Sequence, residues 1–315
     1  MAKKVLLFAD VGIDDTIALI YGYLSRQVDL IGVVADYGNV PRQMGLRNIT
    51  YLINLFNIAN QTKVVLGAEK PMTGEDPVFY PEIHGQYGLG YIKPPDLPEG
   101  GFTENFYEVV NLINQYAGEL VIVNTGRLTS LASMYILFND LMKKVKEVYV
   151  MGGAFWVPGN VTAVSEANIH GDPIAANIVF RYARNLTIIP LNVTERAIVT
   201  PRMVDYIQSK GKAKIIKPLL DFYYEFYKKR NPAIKGSPVH DALTLMATVK
   251  PSMCSYQSLP VHVSPNGTVT KGQTIADIRP YATLNNLESK HRIAFNFDYQ
   301  VFYHDFMSIM TGELM

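Results

Sequence analysis

Short, nearly continuous apolar runs alternate along this chain with longer segments of helical period. The runs over 4–10 (KVLLFAD), 29–36 (DLIGVVAD), 63–68 (KVVLGA), 119–124 (ELVIVN), 146–153 (KEVYVMGG) and 185–191 (NLTIIPL) are rich in Val, Ile and Leu at consecutive positions. Such runs suit strands buried on both faces, since side chains pointing to either side must then be apolar. Between them lie stretches such as 44–56 (MGLRNITYLINLF), whose apolar residues recur every third or fourth position. Strand and helix alternating in this way form βαβ units, which predicts an α/β fold with a mainly parallel sheet flanked by helices. Asp172-Pro173 and Thr200-Pro201 each place a capping side chain before a proline at the first helical position, marking two helix starts. Residues 93–101 (KPPDLPEGG) read as a loop. Toward the C-terminus, 259–270 (LPVHVSPNGTVT) reads as a hairpin turning at Asn266-Gly267, and 292–303 (RIAFNFDYQVFY) as a further strand. These are expected to be an antiparallel addition to a single domain spanning 1–315. A chain of 315 residues with 48% hydrophobic content can bury one large core.

Charge narrows the range of partners. Lys and Arg total 29 against 28 Asp and Glu, so the net charge of +1 supplies no basic field for nucleic acid or an anionic membrane. The opening MAKKVLLFAD begins like a signal peptide, but Asp10 ends its apolar run after five residues, short of the roughly 7 required. No stretch reaches the roughly 18 apolar residues of a membrane span. The one cysteine, Cys254, excludes an intramolecular disulfide, and no Cys/His cluster has zinc-ligand spacing. The expectation is a cytoplasmic protein.

Three polar clusters fall where strands end, the place where ligands bind in open α/β sheets. The first, ADVGIDD, sets Asp10, Asp14 and Asp15 around a glycine that would permit a tight turn. Two acids in the first turn of a helix are explained by capping and the helix dipole alone. A third at Asp10 is not, because clustered like charges repel unless a cation or proton compensates them. Oxygen ligands alone favour calcium or magnesium over zinc. The second cluster, GSPVHDALTL (236–245), is a His-Asp step entering an apolar helix and by itself reads as a plain cap, with Asp241 starting the helix and His240 solvated. The third, VMGGAFWVPGNVTAVSEANIHGDP (150–173), offers Asn160, Thr162, Glu166 and Asn168 in an irregular segment. Those groups match the hydroxyls of a sugar, and equally a solvated loop.

Taken together and in order, these motifs resemble the nucleoside hydrolase family, the inosine-uridine preferring nucleoside N-ribohydrolases. The resemblance is carried by ADVGIDD, YGN (37–39), IHGQYGLG (83–90), NTGRLTSLA (124–132), the MGGAF…GNVT…E.N…DP block and PVHD (238–241). It implies a Rossmann-like nucleoside hydrolase fold and calcium-dependent hydrolysis of a ribonucleoside to free base and ribose, by a homodimer or homotetramer. By the same resemblance, Asp10, Asp15, Asp241 and the carbonyl of Thr125 would hold the calcium ion. Asp14, Asn39, Asn160, Glu166 and Asn168 would grip the ribose, with Met151 packing beside it. Asp10 is the candidate base. His240, expected to titrate near neutrality, is the candidate proton donor to the departing base. Tyr223 and Tyr227, four apart, and His84 of the HG motif would line the substrate site; packing of the tyrosines on one helix face explains them as well.

With a single tryptophan, Trp156, the chain cannot sandwich a base between two of its own tryptophans, so the inosine-uridine or pyrimidine type is expected. It departs from the family pattern at Phe8, where an aspartate is usual, at Val11 and Arg127, where prolines are usual, and at Ser130 and Ala167, where an asparagine and an aromatic are usual. Two rival readings are a non-catalytic ribonucleoside-binding protein and an aspartyl phosphatase. The phosphatase wants a second acid two residues after Asp10, where the chain has Gly12.

Overall fold

The computed structural model describes residues 1–58, 61–97, 103–279 and 289–314. Part of the loop expected over 93–101, residues 98–101, lies outside them. The apolar runs form the parallel strands β1 (Lys3–Ala9), β2 (Val28–Ala35), β3 (Lys63–Leu66), β4 (Thr103–Glu104), β5 (Val121–Asn124), β6 (Glu147–Met151) and β7 (Leu186–Ile189). Strand Lys290–Phe297 continues the sheet in parallel beside β7, and Cys254–Pro260 closes that edge antiparallel, giving nine strands. The C-terminal addition is antiparallel, as expected, in the pairing of Cys254–Pro260 with Lys290–Phe297, while Lys290–Phe297 itself runs parallel to β7.

Alternation along β1 divides the core. Val5, Leu7 and Ala9 join the cluster on one face, while Leu6 and Phe8 join the cluster on the other. Both faces are apolar because helices cover both, which is why the sequence shows runs rather than alternation.

Connectivity decides where a ligand can sit. From β1 the chain steps outward through β2, β3 and β4, then returns to lay β5 on the other side of β1. The direction of winding therefore reverses between β1 and β5, leaving a crevice beyond their carboxyl ends. Phe8 pairs with Asn124 and Ala9 with Ala35, so Asp10, Thr125 and Asp36 emerge side by side at that crevice.

Two expectations near the C-terminus are corrected. Residues 292–303 are not one strand: the strand stops at Phe297, and helix Tyr299–Thr311 begins at once. Asp298 caps it, accepting from the backbone N–H groups of Gln300 and Val301, and Phe302, Phe306 and Met310 form its buried stripe. The expected hairpin is wider than Asn266-Gly267, since His262–Val263 pairs with Thr274–Ile275. Residues 259–260 belong instead to the main sheet. The two helix starts stand as read: Asp172 accepts from Ala175 N and Thr200 from Met203 N.

Candidate active site

Helix α1 (Ile13–Leu24) starts directly at the crevice and is buried over most of its length. Its first turn carries Asp14 and Asp15, whose charge the positive end of the helix favours. The Asp15 carboxylate also takes hydrogen bonds from Gly12 N (3.1 Å), the Thr125 hydroxyl (2.8 Å) and the Asn39 amide (3.1 Å). Helix His240–Val249 packs along α1 and brings Asp241 to the same spot. One carboxylate oxygen each of Asp14, Asp15 and Asp241 lie within 4.8 Å of one another, all buried.

Asp10 stands just outside that trio. Its carboxylate accepts from Asn39 N (2.6 Å) and Asn39 Nδ2 (3.3 Å), with the Arg127 guanidinium 3.4 Å away. Asp10 and Asp15 are fully buried and do not themselves line the cavity of about 700 Å³, whose lining includes the other twelve site residues expected from the sequence. These are Asp14, Asn39, His84, Thr125, Met151, Asn160, Glu166, Asn168, Tyr223, Tyr227, His240 and Asp241.

Electrostatics make the cluster unstable as four anions. Burial, and then the charge of Asp15, push Asp14 up to about 7. Burial and the neighbouring aspartates hold Asp241 well above the carboxylate range, and burial with Asp15 does the same to Asp10 against the pull of Arg127. Among the described residues, Asp14 Oδ1 is buried with no hydrogen-bond partner. A hard divalent cation answers both features, because it supplies positive charge to an all-oxygen donor set and a partner to the orphaned oxygen. The residues present therefore fit a hard divalent cation.

Beside the carboxylates runs a chain of hydroxyls and imidazole, with His240 next to Asp241 at the start of one helix. Tyr223 OH lies 3.4 Å from Tyr227 OH, which lies 3.2 Å from His240 Nε2. His240 Nδ1 in turn meets the Thr194 hydroxyl at 2.8 Å. His240 is not solvated, and the expectation that it titrates near neutrality is corrected: burial pushes it down to about 4, so it is neutral at physiological pH. His84 is likewise buried and held down at about 3, and its Nδ1 accepts from Ile13 N. Gly12 serves this contact rather than a left-handed turn. Its φ is −92°, and a Cβ there would fall 2.4 Å from His84 Nδ1.

The sugar-side residues are tied down from within. Glu166 caps helix Ala167–Gly171, accepting from Asn168 N, Ile169 N and Gly153 N. Asn160 Oδ1 accepts from Ala167 N. Asn168 Nδ2 donates to the carbonyls of Thr125 (2.6 Å) and Met151 (3.1 Å). Cavity residues that the sequence reading missed include Tyr80, Glu195, Phe226 and Arg230, and Thr194 behind His240 was missed too. Only Phe226 and Arg230 carried a signal, as neighbours of the tyrosine pair; the others sit in segments without a motif. Trp156 is 54% exposed and does not line the cavity.

Residues 5–304 match the family model described as inosine-uridine preferring nucleoside hydrolase. The chain is 34% identical over 282 residues to probable uridine nucleosidase 2 of Arabidopsis thaliana, covering 87% of this chain and 85% of that protein. It is 31% identical over 283 residues to the pyrimidine-specific ribonucleoside hydrolase RihA of Escherichia coli, covering 88% and 89%. Among solved structures, the purine-preferring ribonucleoside hydrolase from Gardnerella vaginalis superposes with a TM-score of 0.90 at 30% identity, covering 98% of each chain. This chain belongs to the inosine-uridine preferring nucleoside hydrolases, a family of N-glycosyl hydrolases that act on ribonucleosides.

Proposed function

We propose that the protein hydrolyses the N-glycosidic bond of ribonucleosides of the inosine-uridine or pyrimidine type in a calcium-dependent reaction, releasing free base and ribose. The observation that carries this reading is the juxtaposition, in the lining of one cavity, of the Asp14 and Asp241 carboxylates with the Tyr223–Tyr227–His240 chain of hydrogen bonds. Asp10, Asp15, Asp241 and the Thr125 carbonyl are the proposed ligands of the ion, with Asp14 turned to both ion and sugar. When bound, calcium supplies positive charge that steadies the carboxylates and lowers the pKa of a water.

The chain's own residues account for the rest. Water adds to C1 of the ribose as the bond from C1 to the base nitrogen breaks, and Asp10 takes the water's proton. Asp14, Asn39, Asn160, Glu166 and Asn168 position the sugar while positive charge grows on C1 and the ring oxygen, and Met151 packs beside it. His84 and Tyr223 pack together behind the sugar, their ring centroids 5.7 Å apart. The departing base collects its proton from the Tyr227–His240 pair. Because His240 is held neutral, Tyr227 gives its hydroxyl proton to the base nitrogen as the bond to C1 breaks and takes the Nε2 proton of His240 in its place, and the imidazole regains a proton from solvent once the base has left.

The names of the sequence relatives favour uridine and pyrimidines, and no tryptophan lines the cavity. A panel of ribonucleosides, incubated with and without chelator and assayed for free base and ribose, tests the proposal. Release from uridine or inosine that stops with chelator and returns with calcium is expected; no release from any nucleoside by the calcium-loaded protein would sink it. A cytoplasmic homodimer or homotetramer is the accompanying reading, which follows from the family resemblance. Light scattering that gave a monomer would overturn the oligomer.

A further inference from the structure

One departure from the family pattern reaches into the carboxylate cluster. Arg127 follows β5, is only 3% exposed, and among the described residues is the sole buried Lys or Arg. Its Nη1 donates to Asn168 Oδ1 at 2.6 Å and stands 3.4 Å from Asp10 Oδ2. The guanidinium lies 5.9 Å from the centroid of the Tyr80 ring. The backbone is shaped to admit it: a Cβ on Gly171 would fall 2.3 Å from Arg127 Nε and 2.5 Å from its Cδ. An arginine packed this closely, through glycine, against two groups of the site is built in rather than tolerated.

Its charge is permanent, and it acts where the opposing charges are. A guanidinium keeps its proton in any protein environment. At such short range and away from water, like charges repel strongly, so a divalent cation entering beside Asp10 must bind against this one. We propose that Arg127 is an internal counter-charge of the metal site: it holds Asp10 and Asn168 in place in the metal-free protein and lowers the site's affinity for divalent cations. The inference rests on the metal-dependent reading above and concerns Arg127 as a positioning residue, without contact to substrate.

The test is calorimetric titration of chelator-stripped protein with calcium, magnesium and manganese, alongside melting curves of stripped and loaded protein. Arg127→Met is expected to bind calcium on the order of tenfold more tightly than the parent, because a repelling charge has gone. Its stripped form should melt several degrees lower, and loading should restore most of that loss. Arg127→Lys, which keeps the charge, should bind calcium close to the parent value. An arginine that merely props the site up behaves otherwise: affinity falls or stays constant in Arg127→Met, and both melting points drop together, which would overturn the inference. Should Arg127→Met not fold, Arg127→Gln, a donor without charge, gives the same readout. Failure of the two readings is separable. Base release without binding of any divalent ion overturns the counter-charge and leaves a hydrolase, whereas calcium binding with the expected affinity change but no base release overturns the hydrolase alone.

Discussion

The Tyr227 hydroxyl lies 3.2 Å from His240 Nε2, and His240 Nδ1 is fixed from behind by Thr194 at 2.8 Å. With both ring nitrogens in hydrogen bonds and the ring buried, the imidazole is oriented and neutral. If this pair delivers the proton to the departing base, His240→Ala should lower kcat on uridine or inosine by roughly 10²- to 10⁴-fold, and Tyr227→Phe by less. On a riboside whose leaving group departs without a proton, both variants should retain near-parental kcat. Equal losses on both substrates would show that the pair only shapes the cavity.

Calcium affinity should rise with pH. The folded protein holds Asp14 at about 7, so below that value ion entry must displace a proton, weakening binding by about tenfold per pH unit for each proton released. Calorimetry at about pH 6 and about pH 8 is expected to differ by at least tenfold. In the metal-free protein the sign on stability is opposite. The raised carboxylate holds a proton that the unfolded chain gives up, so Asp14 subtracts stability as pH rises from its ordinary 3.8 through about 7.

Gly12→Ala should damage the site without touching a carboxylate. The new methyl would occupy the place of His84 Nδ1, 2.4 Å away, and displace the ring that accepts from Ile13 N. A loss of about 2 kcal/mol in stability is expected, as for other close-packing clashes, with a clear fall in kcat. Chemical denaturation and steady-state kinetics check both; a variant with parental stability would mean His84 moves aside freely.

Phe8→Asp, which restores the acid usual in the family, should not improve the enzyme. The Phe8 ring is fully buried in the apolar cluster that also holds Leu6, Val34 and Leu128, on the face of the sheet opposite Val5 and Leu7. A carboxylate buried among those apolar side chains should cost on the order of 3 kcal/mol or more, as for other uncompensated buried charges. Denaturant midpoints test this. Stability at or above the parent value would show a polar partner near that position.

The sequence by itself determined the alternation of strand and helix, two helix starts and the list of polar residues able to do chemistry. Strand runs such as 4–10 and the Asp172-Pro173 and Thr200-Pro201 caps are decided by local sterics and hydrogen bonding, which neighbouring residues carry. The far C-terminal region was less legible. There a cap at Asp298 turns an apolar run from strand to helix within two residues, and an apolar run fits either element. Only the tertiary structure decided how the site is assembled. It placed Asp241 beside Asp14 and Asp15 by packing two helices, set Thr194 behind His240, and brought Arg127 against Asp10 from 117 positions along the chain. It also decided protonation, since burial keeps His240 neutral and lets Asp14 hold a proton near neutrality. The reason is physical: desolvation and charge repulsion depend on what surrounds a group in space, and the crevice between β1 and β5 is created by the winding of the sheet, which short-range sequence patterns do not record.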